Sequence, residues 1–230
     1  MYGLIKRGFD ILVSLVALAL LCPVFLIVAL GIKLSSPGPV LYRSERIGQD
    51  RKPFNMLKFR TMHLMKEGTE ESEFLVNEDR IFPFGHFLRR SKLDETPQML
   101  NVLLSQMSLV GPRPYPPDIT ERDYTGEYAV VLTVKPGLAC YDSLFDYAHG
   151  ELFVTDDDEY EAKILPVRTE LARMYVERRG IGTDLGIIGR TFSLIWQITV
   201  LGRETFTYSR TELEAKARVE QKKEEQGNAV

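Results

Sequence analysis

The stretch "LVSLVALALLCPVFLIVALGIKL", residues 12–34, constrains this chain more than any other. From Ile11 to Ile32 only Ser14, Pro23 and Gly31 are not plainly apolar, and about 20 such residues make a helix long enough to cross the hydrocarbon core of a bilayer. A signal peptide fits poorly. Its apolar region is about 7–15 residues long and ends at a small-residue cleavage site, which "KLSSPGPVLY" does not supply. A straight span and a re-entrant hairpin both stay open. Pro23 removes one helical hydrogen bond and clashes with the preceding turn, at about 3 kcal/mol or more in water, yet membrane helices tolerate such kinks. The flanks add weight to the hairpin. Lys6 and Arg7 precede the run and Lys33, Arg43 and Arg46 follow it, and positive charge marks cytoplasmic ends. A helix that enters, breaks at Cys22–Pro23 and leaves on the same face satisfies both flanks; a straight span satisfies one.

Composition is that of a folded protein, with a formal net charge of −3. The charge is unevenly spread. Residues 33–66 are basic, whereas acidic residues collect at Glu151 and Asp156–Glu161. A basic segment beside an apolar anchor suits lipid headgroups, phosphates or nucleotides. No nucleic-acid partner is expected, because the chain is not basic overall and carries no recognisable nucleic-acid module. Cys22 sits in the apolar run and Cys140 far from it, a usage that fits a reducing compartment without a disulfide. His63, His86 and His149 are scattered, without zinc-site spacing.

Beyond the anchor the chain reads as an α/β, helix-rich domain. "SSPGPV" breaks the helix, and residues 40–62 predict two short strands around a turn at Gly48–Asp50. Residues 62–80 predict a surface loop or short helix. In "DETPQMLNVLLSQMSLV" Leu100, Leu103, Leu104 and Met107 recur at helical spacing, with Gln98, Asn101 and Ser105 on another face. Pro97 suits a first turn and Thr96 an N-cap. Residues 159–179 predict a charged amphipathic helix, and 185–202 a helix packed on the core or lying in the membrane interface. The tail from Arg210 predicts a solvated, fraying helix. The organisation expected is a membrane hairpin at 1–35, a catalytic domain at 36–209 and a charged tail at 210–230.

Residues 87–114, "FLRRSKLDETPQMLNVLLSQMSLVGPRP", carry the chemistry. They hold the carboxylates Asp94 and Glu95, an arginine pair that includes Arg89, and Arg113 between two prolines. Adjacent carboxylates serve as an acid/base pair, as metal ligands, or as a nucleophile with a helper, and arginine forks suit phosphate. Taken alone, an Asp-Glu pair at a helix start is ordinarily a capping feature, and an Arg-Arg pair ordinarily solvated surface. Lys58 and Arg60 either line a phosphate site or face solvent on a strand. "DDDEYE" (156–161) reads as a solvated acidic loop.

In combination these pieces resemble the bacterial sugar transferases, the small monotopic phosphoglycosyl transferases. They run in family order: "KRGFD" (6–10), a proline in the apolar run, "PGPVLYRSERIG" (37–48), "KFRTM" (58–62), residues 84–114, and "VKPGL" (134–138). The resemblance extends to about residue 200. It implies a re-entrant membrane helix-break-helix hairpin on a small α/β cytoplasmic domain with interfacial amphipathic helices, at the cytoplasmic face of a bacterial inner membrane. The implied reaction transfers a sugar phosphate from a UDP-sugar to undecaprenyl phosphate, giving a polyprenyl diphosphate sugar and UMP. By motif position Asp94 would be the nucleophile and the Mg²⁺ ligand, with Glu95 its partner in the dyad. Arg89 and Arg113 fall where the family binds phosphate. Membrane lipids are implied partners, and a homodimer is compatible with this reading. The chain departs from the family after Gly137, reading "LACYDSLFDYAHGE" where the nucleotide sugar is expected to be held, and carries Cys22 where many relatives have serine. Two other classes remain: a catalytically silent membrane scaffold for glycan assembly, and a one-span signalling or secretion component.

Overall fold

Helix α1 (Tyr2–Ser35) takes up the whole apolar run. In the computed structural model, which describes residues 1–64, 78–150 and 156–227, it is the one helix among the described residues long and apolar enough to cross a membrane. Asp10, Ser14, Val28 and Ile32 form a buried stripe, while Leu12, Leu15, Leu20, Leu26, Ile27, Leu30 and Leu34 are exposed on the other faces. A helix whose outer face is this apolar is built for lipid and not for water.

The helix passes through Cys22 and Pro23 without the break expected there. A proline removes one donor, and one missing bond does not end a helix whose flanking turns are held by packing. Pro23 is exposed on the face opposite the buried stripe, so any bend it imposes curves the helix toward the domain. Both flanks dock on that same domain. Lys6 Nζ lies 2.7 Å from Asp184, and Arg7 donates to the Val102 and Leu103 carbonyls at 2.7 and 2.9 Å. Asp10 accepts from Ser108 Oγ at 2.8 Å and Leu109 N at 3.1 Å. At the far end Val28 and Ile32 pack with Phe59, Phe82 and Leu88.

The expected hairpin of strands is present. β1 (Leu41–Ile47) and β2 (Pro53–Phe59) pair antiparallel from Leu41↔Phe59 to Ile47↔Pro53. The turn closes with Gly48 N donating to Lys52 O at 2.8 Å. Alternation puts Ser44 and Arg46 of β1 on one face with Phe54, Met56 and Lys58 of β2. There follow α2 (Pro83–Arg90), a 3₁₀ turn (Leu93–Glu95), α3 (Gln98–Leu103), β3 (Ser108–Val110), α4 (Pro117–Asp123), β4 (Gly137–Ala139) and α5 (Tyr141–His149). β3 and β4 pair in parallel.

Helix α3 presents the face opposite to the one its leucines predict. Gln98 and Asn101 are buried, whereas Leu100 and Leu104 are 39% and 66% exposed. The open edge of β2 explains the inversion. Asn101 accepts from Leu57 N at 3.0 Å and donates to Asn55 O at 2.8 Å, capping backbone groups that β1 cannot reach. Thr96 does not cap α3; its hydroxyl turns back to the Leu93 carbonyl at 2.7 Å.

The remaining helices wrap this centre. α6 (Asp157–Glu159) runs through a π turn (Tyr160–Ile164) into α7 (Leu165–Arg178), so the acidic segment at 156–161 is helical and its Tyr160 is buried. α7 is a core helix, with Leu171, Ala172 and Met174 fully buried. α8 (Ile181–Thr199) buries Ile187, Leu194 and Ile198 but exposes Phe192 and Trp196, as a helix shared between core and membrane interface would. α9 (Arg210–Gly227) is not the solvated helix expected. Ala215 and Val219 are buried in the cluster around α7, because two small apolar residues four apart suffice to seat a helix whose ion pairs do the rest.

Candidate active site

The turn that follows α2 delivers both carboxylates. Lys92 takes a left-handed conformation (φ 56°) and starts the 3₁₀ turn Leu93–Glu95. Glu95 is clamped: Arg113 donates to it twice, at 2.6 and 3.0 Å, and Lys58 Nζ lies 3.2 Å away. Burial alone would raise the Glu95 carboxyl, but Arg113, then Lys58 and Lys92, outweigh it and hold it well below the usual range. Asp94 is its opposite. It is 5% exposed, and its Oδ1 has no hydrogen-bond partner. Burial, then the charge of Glu95, pushes it up to about 6 against the pull of Lys58, Lys92 and Arg89.

Arg113 is positioned from its backbone. Gly111 and Gly137 lie so close that a Cβ on Gly137 would stand 2.1 Å from Gly111 N, which lets β3 and β4 meet just before the Pro-Arg-Pro segment. Arg113 N donates to Asp142 Oδ2 at 2.9 Å. Asp142 is fully buried at the start of α5, and that burial raises its carboxyl. The segment after Gly137 is thus built into the site.

Glu95, Lys92 and Arg113 also line one end of a cavity of about 400 Å³. Much of the rest of its lining is apolar, with Phe9 and Val13 of α1, Ile188, Phe192 and Ile195 of α8, and Leu138 and Leu144, although Asp146, Ser143 and Thr191 line it too. The cavity therefore connects the charged cluster to the two helices that expose apolar surface.

The structure brings Asp94, Glu95, Lys58 and Arg113 together, with Arg89 on the last turn of α2 acting on the Asp94 charge. Lys58 is ion-paired at the site and does not simply face solvent. Arg60 fits neither of its expected roles. It is 4% exposed and donates to the Pro39 and Ser36 carbonyls at 2.7 and 2.8 Å and to Ser36 Oγ at 2.8 Å. It ties the end of α1 to β2, because the loop after the helix leaves carbonyls that only a long planar donor reaches. Cys22 and Pro23 stand on the lipid-like face of α1, away from this cluster. His149 packs on Tyr208 at 4.4 Å. Residues 65–77 and 151–155, with most of the predicted 62–80 loop, lie outside the described residues. Sequence reasoning gave no site role to Asp142 and used Arg46 only as a flanking charge of the apolar run and as part of the 37–48 motif. Period-two alternation on β1 would have put Arg46 on the Lys58 face; nothing local marks Asp142.

Comparison with known proteins supplies the family. Residues 1–197 match the model of the bacterial sugar transferase family. An exopolysaccharide production protein of Rhizobium leguminosarum bv. phaseoli is 48% identical over 198 residues, 86% of this chain and 91% of the relative. A UDP-glucose:undecaprenyl-phosphate glucose-1-phosphate transferase of Escherichia coli K12 is 37% identical, over 80% of this chain but 39% of its own length. A UDP-N-acetylgalactosamine-undecaprenyl-phosphate N-acetylgalactosaminephosphotransferase of Aeromonas hydrophila is 33% identical, over 84% and 44%. The chain thus spans less than half the length of these last two relatives. With the family model matched from the first residue past the middle of α8, the chain belongs to the bacterial sugar transferase family.

Proposed function

We propose that this chain is a phosphoglycosyl transferase that moves a sugar 1-phosphate from a UDP-sugar to undecaprenyl phosphate, releasing UMP and starting a surface glycan. The observation that carries the reading is the pairing of a buried carboxylate that has an unpartnered oxygen, Asp94, with a clamped one, Glu95, beside a cavity walled by the apolar helix α1. In the reaction an Asp94 oxygen attacks the sugar-bearing phosphorus. The bond from that phosphorus to the bridging oxygen breaks, UMP leaves with the bridging oxygen, and the sugar phosphate stays on Asp94 as an acyl phosphate. An oxygen of the lipid phosphate then attacks the same phosphorus and restores the carboxylate. Arg113, Lys58 and Arg89 offset the repulsion between carboxylate and diphosphate. Glu95 holds Arg113 and Lys58 in place.

The residues present fit Mg²⁺: an unpartnered carboxylate oxygen on Asp94 suits a hard divalent cation. Asp94 would hold it, and the ion would neutralise charge on the diphosphate.

A re-entrant course for α1, with the domain on the cytoplasmic face, is part of the proposal. Its support is that Lys6, Arg7 and Asp10 at one end and Val28 and Ile32 at the other all dock on one domain. A helix crossing a hydrocarbon core about 30 Å thick would leave its ends on opposite faces. The apolar end of the cavity suits the prenyl chain, which then reaches the dyad without leaving lipid. Labelling from the two sides of the membrane tests this: Gly3→Cys and Arg43→Cys in a background lacking native cysteines react from the same, cytoplasmic side. Labelling from opposite sides rejects the hairpin.

The experiment for the activity is UMP release by membrane-embedded protein, beginning with UDP-glucose and UDP-N-acetylgalactosamine and extended to other UDP-sugars. Release should require undecaprenyl phosphate and Mg²⁺. No UMP from any of them would favour a silent scaffold.

A further inference from the structure

Among the described residues, Arg46 is a half-buried cation without a counter-ion. Its one hydrogen bond runs to the carbonyl of its neighbour Glu45, at 3.2 Å, and among the described residues no carboxylate stands within ion-pair distance. This is an uncomfortable position for a guanidinium, whose charge loses solvation on burial and gains nothing here in return. Backbone geometry makes it worse. Ile47 N donates to Tyr115 O at 3.0 Å, which places Arg46 beside the segment that carries Arg113. Burial, then the like charge of Arg113, lowers the affinity of Arg46 for its proton, against a partial pull from Tyr42, Asp118 and Tyr115.

A second unmet group lies on the same face. Ser44, two residues earlier on β1, is 7% exposed, and its hydroxyl has no partner. Register places Ser44 opposite Met56, between the Arg46–Phe54 row and the Tyr42–Lys58 row. The inner face of the hairpin therefore runs from Lys58, already at the dyad, through an unpartnered hydroxyl to an uncompensated guanidinium beside Arg113. Arg113 is already paired with Glu95, so the donors left to take an anion on this face are those of Arg46, and a guanidinium offers planar donors to phosphate oxygens and keeps its charge at any physiological pH.

We infer that Arg46, with Arg113 beside it, binds a phosphate group on the inner face of the β1–β2 hairpin. Naming that phosphate as part of the donor diphosphate or as the lipid phosphate rests on the function proposed above; the site itself does not.

The test uses the full chain in detergent, with UDP as the probe and isothermal titration as the readout. Arg46→Gln weakens UDP binding about tenfold, the weight of one charge-assisted hydrogen bond. Arg43→Gln, exposed on the outer face of the same strand, stays within twofold. Without nucleotide, Arg46→Met melts at or above the wild-type temperature, because an uncompensated charge has been removed. It also loses the rise in melting temperature that UDP gives the wild type. Steady-state kinetics then assign the source. A raised KM for the UDP-sugar alone points to the donor diphosphate, and a raised KM for undecaprenyl phosphate alone points to the lipid; either upholds a phosphate site. The inference is overturned if Arg46→Gln leaves UDP binding and both KM values unchanged, or if ligand-free Arg46→Met melts well below wild type, which would make Arg46 a structural residue. If the wild type releases no UMP from any UDP-sugar while UDP binding still needs Arg46, the transfer reaction falls and the phosphate site stands.

Discussion

Asp94 and Glu170 are both carboxylates taken out of water, and the protein treats them oppositely. Glu170, on α7, is fully buried and fully answered. Arg173 donates to it at 2.7 and 3.2 Å, Lys222 at 2.9 Å and Arg218 at 3.2 Å. Burial would raise its carboxyl, but these partners outweigh burial and hold it at about 2. Asp94 is nearly as buried, has one oxygen without a partner, and sits at about 6. The first arrangement pins α9 to α7 and leaves nothing for a ligand to do. The second leaves one carboxylate oxygen without a hydrogen-bond partner inside the protein. The unmet oxygen of Asp94 counts toward a ligand because it stands beside the cationic cluster of Lys58, Lys92 and Arg89.

The largest effects should separate the two sites by activity. Asp94→Asn removes the nucleophile while keeping its shape, so UMP release should fall at least ~10³-fold, and no sugar-phosphate adduct should appear on the intact protein by mass spectrometry. Full activity in this variant would end the assignment. Arg113→Met should reduce UMP release roughly 10²-fold, the scale of losing one preorganised electrostatic donor. It also leaves Glu95 with Lys58 as its remaining clamp, so its melting temperature should drop as well. Glu170→Gln should do the reverse. It leaves Arg173, Arg218 and Lys222 with only their more exposed partners Glu127, Glu177 and Glu214 and should destabilise by about 2–4 kcal/mol, read as an earlier thermal midpoint, with turnover per folded molecule unchanged. A turnover loss in Glu170→Gln that outlasts correction for folding would show that the C-terminal helix reaches the site, and the contrast would fail.

Much of this was legible in the residues before any coordinates. The apolar run, the strand pair around Gly48 and the joined Asp-Glu and Pro-Arg-Pro segments each carry a local signal that tertiary packing did not override. What was not legible depended on partners distant in sequence. Leucine spacing put the wrong face of α3 inward, because the open edge of β2 called for Asn101 and no pattern within α3 reports that edge. Arg60 lies in a basic motif beside Lys58, yet the carbonyls at the end of α1 claim it. Asp142 holds Arg113 across 29 residues of sequence, and no local pattern reports that contact. The mixed-charge sequence of α9 hides its docking, since Ala215 and Val219 are too few to form an apolar stripe.

The smallest effect is also the sharpest test of the contrast, because the two carboxylates should answer pH with opposite signs. The Asp94 carboxyl is raised from 3.8 to about 6, so the fold prefers it protonated. Its favourable contribution is complete below pH 3.8 and is lost as pH rises through about 6. Asparagine mimics the protonated form at every pH. At pH 8 Asp94→Asn should therefore be more stable than wild type by roughly 2–3 kcal/mol, at 1.36 kcal/mol per pH unit. That advantage should shrink as pH falls from 7 to 4. The Glu170 carboxyl is lowered from 4.5 to about 2, so its stabilisation is complete above pH 4.5 and lost only as pH approaches 2. The deficit of Glu170→Gln should consequently stay flat from pH 8 to 5, while the Asp94→Asn advantage fades over the same range. Thermal midpoints of the two variants against wild type, measured in detergent without nucleotide or divalent cation, give both curves. If Asp94→Asn is less stable than wild type at pH 8, Asp94 is a satisfied carboxylate like Glu170, and its unmet oxygen no longer points to a ligand.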